Sequence, residues 1–361
     1  MGRGIFGRFW KPERPLGTEI QGVTDLPAST PVVTRVGLGF DYNDGGISNQ
    51  KLALLGLVIN ASRMPDPADR FIYLPRIYSR DQDESKSTFH AFGDVFWTEI
   101  FVEFLNRWGV GIVPIPAVEY ADRIERGGWN HFHLGAAHLG SIAEKEETAA
   151  TDIISDFCRS LVPRVKSSAL FQSLCSEIIY KNDITTMVQF RIEGDWASYC
   201  RYNLDPVLVR PEQNYLHPVE ICSKIKRSLP DVGKVYVFCD ERYAPEPKSA
   251  INEAVLSQTG IELFWKTDFM PAGTYETMSP LDASLIDFEI SKMAKLYVGL
   301  SRSTFSNLSA FERFCQNYVR TPQDYIYNLP IPELGLRVDR GTRVDPWETC
   351  GLPWPGSASE N

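Results

Sequence analysis

Along this 361-residue chain the apolar positions switch repeatedly between strand-like and helix-like spacing. Residues 32–42 read as a strand and Asn43, Asp44, Gly45 and Gly46 as a turn. Leu52, Leu55, Leu57, Val58 and Ala61 then recur at helical spacing across 49–64. Residues 71–75 predict a short strand, 94–108 an aromatic-rich amphipathic helix, 110–115 a strand, 116–148 loops and short helices, and 150–181 two helices. A second series follows, with strands at 185–192, 234–239, 261–265 and 295–300. Helices alternate with them at 218–228, 248–258, 285–294 and 303–316. Two such series predict an α/β protein of two doubly wound parallel sheets: an arm (1–30), a first domain (31–181), a second domain (182–322) and a tail (323–361) wrapped over the body. Ligands of such sheets sit beyond the carboxyl ends of the strands, so two facing domains enclose a cleft.

Composition narrows the function classes. The 43% hydrophobic content with 12% aromatics supports real cores. A net charge of -9 argues against general nucleic-acid binding and leaves room for a basic pocket that takes a small anion. The seven cysteines are spread out with no CxxC pair, which suits free thiols better than a zinc site or a disulfide framework. No stretch has the length and apolarity of a membrane span, and residues 1–14 have no apolar core of a signal peptide. The expectation for the sequence as it stands is a cytoplasmic protein, or one of the secretory pathway if the N-terminus is truncated.

Three segments carry candidate chemistry. DYNDGGISNQ at 41–50 follows a strand and opens a helix. Gly45 and Gly46 let the backbone approach a ligand, and the Asn49 and Gln50 amides can donate and accept there. It is not GxGxxG, so a nicotinamide cofactor is not indicated. VQFRIEGDW at 188–196 places Gln189, Arg191 and Glu193 on one strand face. Arg191 at a strand's carboxyl end faces the cleft, where its planar fork matches a diphosphate. Glu193 is placed to orient it, and Asp195 to cap the next segment. YVGLSRSTFS at 297–306 reads as a buried strand, a tight turn and a helix start. Its free N–H groups and the hydroxyls of Ser303, Thr304 and Ser306 suit a phosphate, although Ser and Thr also open helices simply as N-caps. Asp240, after the strand ending at 239, either touches a ribose or belongs to a solvated charge run. His131, His133 and His138 lack the carboxylate or cysteine spacing that completes a familiar metal site.

In this order the three segments resemble the protein O-fucosyltransferase superfamily, over about residues 32–317. The family's Gly-Gly-x-Asn-Gln turn corresponds to GGISNQ at 45–50 with one extra residue. Its His-x-Arg-x-Glu-x-Asp strand corresponds to QFRIEGD at 189–195. Its Gly-x-x-x-Ser-[Ser/Thr]-Phe-Ser turn corresponds to GLSRSTFS at 299–306. FIYLP at 71–75, FGDVF at 92–96 and IDFEI at 286–290 add to the likeness. Gln189 stands where the family usually has His. The resemblance implies a GT-B fold of two Rossmann-like domains and an inverting, metal-independent glycosyltransferase without a cofactor. It implies a nucleotide diphosphate sugar as donor, GDP-fucose first, and a glycan or protein hydroxyl as acceptor. It implies that Arg191 holds the β-phosphate with Ser303, Thr304 and the backbone near Phe305. Gly46 and Asn49 would line the sugar and acceptor side. Asp44, in the Gly-rich turn, is the candidate base for the acceptor proton, or else makes a local Asx-turn bond. The alternative is a nucleotide-sugar-binding scaffold that has lost catalysis, motivated by Gln189.

Overall fold

The computed structural model describes residues 37–81, 83–113, 132–134, 149–208, 210–316 and 323–354. The expected arm, most of the loop region 116–148, His131 and His138 lie outside them. Residues 35–361 form one compact unit.

The chain enters at α1 (Ile47–Ser62), whose residues are buried almost all round. A helix apolar on every side needs neighbours on every side. They come from β1 (Phe71–Ile72), β2 (Ile77–Ser79), α2 (Phe92–Val95), α3 (Thr98–Arg107), β4 (Gly111–Ile112) and α4 (Ala149–Ser160), which share one core with it, while β3 (Thr88–His90) pairs with β2 as a hairpin. β1 pairs in parallel with β4, and of the expected strand at 32–42 the described residues 37–42 make a single bridge, Leu38 to Ile72. Among the described residues, the first sheet is therefore small.

After α5 (Ala169–Cys175) the chain builds the main sheet. Its elements are β5 (Thr186–Gln189), α6 (Gly194–Tyr199), α7 (Pro218–Ser228), β6 (Lys234–Phe238), α8 (Lys248–Thr259), β7 (Glu262–Trp265), α9 (Thr274–Thr277), α10 (Pro280–Ser291), β8 (Leu296–Gly299) and α11 (Thr304–Gln316). β9 (Gln323–Ile326) and β10 (Gly335–Leu336) follow, then α12 (Pro346–Thr349). The strand order is β10-β9-β8-β5-β6-β7, parallel except for β10. The segment expected to wrap over the body thus supplies two strands.

Period-2 alternation sorts the strand side chains onto two covered faces. Val188, Val235, Val237 and Val298 pack with α7 and α8 on one side. Met187, Tyr236, Phe238 and Tyr297 pack with α5 and α10 on the other. This is a doubly wound α/β sheet. α10 has a second role: Ile286 and Ile290 face the sheet, while Leu281, Leu285 and Phe288 complete the core around α1. The order reverses at β5, whose neighbours are β6 and β8, so the crevice of such a sheet falls at the carboxyl ends of β5 and β8.

Candidate functional site

Both of those strand ends carry a sequence-predicted residue. The β5 ladder ends at Gln189, three residues short of expectation, although Phe190 still donates its N–H to the Phe238 carbonyl at 3.0 Å. Gln189 is buried and accepts a 2.5 Å hydrogen bond from the Ser306 hydroxyl. Its oxygen therefore joins β5 to α11. Ser306, expected to offer its hydroxyl to a ligand, is itself buried among Gln189, Tyr297 (3.1 Å) and the Leu300 amide (3.2 Å). Gly299 makes this possible: a Cβ there would lie 2.3 Å from Ser306 Oγ.

Arg191 follows two residues after Gln189, with its side chain 26% exposed. One guanidinium nitrogen donates to Glu193 Oε2 at 3.3 Å, as expected, and its Cζ lies 4.8 Å from the centre of the Trp196 ring. The rest of the fork has no protein acceptor among the described residues. Burial opposes its charge, but the Glu193 and Asp195 carboxylates outweigh that and raise the pKa. Glu193 is almost wholly buried, and its other oxygen accepts the Asp240 amide at 3.3 Å. Asp195 sits inside the first turn of α6 rather than at its cap, bonded to the Trp196 amide at 2.7 Å.

At the end of β8 the turn is held by its own polar network. Ser301 donates its amide to Asn328 Oδ1 at 3.1 Å and its hydroxyl to the Val344 carbonyl at 2.7 Å. Asn307 is buried and donates to the Ser301 carbonyl at 2.8 Å. Ser303 Oγ accepts the Ser306 amide at 3.5 Å, a long N-cap bond, and its own proton has no acceptor among the described residues. The amides of Thr304 and Phe305 have no protein acceptor among the described residues, and they open a 13-residue helix. The Phe305 ring faces Phe238 and Phe288, so only its backbone is available to a ligand.

Asp240 is neither a solvated run nor free. It accepts from Arg242 Nε at 2.9 Å, Arg242 Nη2 at 2.8 Å and the Tyr275 hydroxyl at 3.0 Å. Burial pushes its carboxyl up, and the Arg242 fork outweighs this and lowers the pKa.

On the Gly-rich turn, Asn43 Oδ1 accepts the Gly45 amide at 2.7 Å and Asn43 Nδ2 donates to the Asn49 carbonyl at 3.2 Å. The Asx-turn bond considered for Asp44 belongs to Asn43, and Asp44 is exposed. Gly45 is required by its own loop, since a Cβ would lie 2.9 Å from Asn43 Oδ1, whereas Gly46 opens onto free space. Asn49 Oδ1 meets His133 Nε2 at 3.2 Å. α1 and the start of α11 approach one ring: Lys51 Nζ lies 4.1 Å from the centre of Phe288, and the Phe305 ring lies 5.3 Å from it.

No family model and no curated protein matches the chain. Among solved structures it is similar to POFUT1 in complex with GDP, at 16% identity and a TM-score of 0.48 over 81% of this chain and 97% of that one. It is similar to the NodZ α-1,6-fucosyltransferase soaked with GDP-fucose, at 11% identity and 0.47 over 84% and 98%. A mutant of Arabidopsis thaliana FUT1 in complex with GDP gives 12% and 0.44 over 84% and 74%.

The sequence reading missed Trp196 as the ring under Arg191, although it lies in the same motif. It also missed Asn43, Asn328 and Arg242 as the groups that fix the surrounding loops. Together the β5 and β8 ends present a guanidinium and two backbone amides held by buried partners. Such donors suit the oxygens of a phosphate group. No three His, Cys, Asp or Glu side chains converge as metal ligands among the described residues, and no helix among them is long and apolar enough to cross a membrane.

Proposed function

We propose that the chain is an inverting glycosyltransferase of the GT-B, O-fucosyltransferase-like kind that takes a nucleoside diphosphate sugar, GDP-fucose first, as donor. The observation that carries this is the position of Arg191 and the Thr304–Phe305 amides at the two strand ends flanking the order reversal of the sheet. The motif resemblance supports the same assignment for the same residues. Arg191 and the α11 amides hold the β-phosphate, with the Ser303 and Thr304 hydroxyls as further donors. The bond between the anomeric carbon and the diphosphate oxygen breaks, and the leaving electron pair becomes charge beside the guanidinium. The acceptor oxygen attacks from the opposite face, and Asp44 takes its proton. The first half of the chain, with Gly46 and Asn49, forms the acceptor side of a cleft between two domains meeting near residue 182. Neither metal nor cofactor enters this scheme.

The test is transfer from GDP-fucose to an acceptor library, read as product by mass spectrometry, with wild type and Arg191→Ala side by side. Removal of one preorganised charge contact lowers turnover by about 10²–10³. Near-wild-type turnover in Arg191→Ala contradicts the assignment. GDP binding without any transfer selects the scaffold reading instead.

A further inference from the structure

The β2–β3 hairpin turns a cluster of aromatic rings outward beside the Gly-rich turn. Tyr78 and Phe89 are cross-strand partners, and Tyr42 comes immediately before the turn. Ring centroids lie 4.7 Å apart for Tyr42–Phe89 and 5.0 Å for Tyr78–Phe89. Tyr42 remains 37% exposed and Phe89 43%. Arg76 lies over the Phe89 ring at 4.4 Å and forks onto Asp41 through Nε at 2.9 Å and Nη2 at 2.6 Å. Gln50 fixes this patch to the turn. It accepts the Tyr78 amide at 2.9 Å and donates to the Tyr78 carbonyl at 2.8 Å and the Gly45 carbonyl at 3.0 Å.

These rings form one contiguous aromatic patch rather than scattered apolar side chains, and a contiguous exposed patch marks a binding surface. Its size decides which kind. A stable protein partner covers roughly 800 Å² per side, far beyond two half-exposed rings. A pyranose ring has one face of C–H bonds that suits the negative face of an arene. Its hydroxyl rim needs donors and acceptors together, which Arg76 and Asp41 supply. We propose that Tyr42, Tyr78 and Phe89, with the Asp41–Arg76 pair, form the subsite for a hexopyranosyl unit of an acceptor glycan, next to Asp44. The acceptor role rests on the transferase reading above; the sugar binding does not.

Saturation-transfer NMR with cellotetraose, mannotetraose and chitotetraose, without nucleotide, tests the subsite, while GDP binding is measured separately by calorimetry. At least one tetrasaccharide binds wild type. Tyr42→Ala and Phe89→Ala each weaken it about tenfold, Phe89→Leu behaves like Phe89→Ala, and Phe89→Trp retains binding. All four variants keep the wild-type melting temperature and GDP affinity. Overturning results are no saturation of any tetrasaccharide, equal binding by Phe89→Ala and wild type, or perturbation of these rings by a Ser/Thr acceptor peptide alone. Sugar binding through the patch without GDP binding keeps this inference and removes the donor reading.

Discussion

Arg191 is paired with Glu193, but its guanidinium fork is not saturated by its surroundings. A single 3.3 Å bond to Glu193 orients the fork, and the rest of it remains available to a ligand. Shape therefore matters as well as charge: Arg191→Lys retains the cation but loses bidentate donation, so turnover stays well below wild type while the melting temperature is unchanged. Adjacent Asn43 and Asp44 separate structure from chemistry. Asn43→Ala removes two loop bonds and lowers stability by about 1–3 kcal/mol in denaturant unfolding. Asp44→Asn leaves stability and GDP affinity unchanged and lowers kcat sharply; a kcat within a few-fold of wild type assigns the base elsewhere. The placement of Arg191 just past a strand end and of Ser303 and Thr304 at a helix start was legible because these are local patterns. The partner of Gln189 was not, because Ser306 lies 117 positions away. Nor can a sequence tell which of two neighbouring Asx residues makes the turn bond.

At the scale of elements, the β8–turn–α11 unit depends on close packing of Gly299 against Ser306. Gly299→Ala places a methyl 2.3 Å from Ser306 Oγ and 2.8 Å from its Cβ. Overpacking of this kind costs about 1–3 kcal/mol. It also shifts the start of α11 away from β5, so the melting temperature and GDP affinity fall together. A Gly299→Ala protein with wild-type values of both contradicts the coupling of Gln189, Ser306 and the helix start. The main-sheet strands were legible from their apolar runs. The β5 end was overextended because Phe190 and Ile192 remain buried after the ladder stops. The start of α10 was missed although its signals were present: Ser279 Oγ accepts the Asp282 amide at 3.0 Å and Pro280 takes the first helical position. β9 was missed because its four residues, just ahead of a Pro-rich segment, carry too little periodicity to stand out.

Across the whole molecule, α10 joins the core around α1 to the main sheet, and a buried charge network accompanies it. Lys51 of α1 pairs with Glu312 of α11. Lys292 bonds Glu289 at 2.6 Å and Glu312 at 3.0 Å, and Lys166 meets Glu289 at 3.1 Å. Removing one partner leaves an uncompensated buried charge, so Glu312→Gln costs about 3–5 kcal/mol in denaturant unfolding. No sequence periodicity announces such a network, because its members lie as much as 261 positions apart. The carboxyl ends of β5 and β8, on which the proposed activity depends, are held by the Gln189–Ser306 bond and the Ser301 contacts to Asn328 and Val344. Calorimetry of GDP and GMP against wild type and Arg191→Ala tests that site most directly. GDP binds wild type much more tightly than GMP, and Arg191→Ala removes most of the difference while binding of GMP changes little. Equal affinity of wild type for GDP and GMP, or an unchanged difference in Arg191→Ala, contradicts a diphosphate cradle at this switch point.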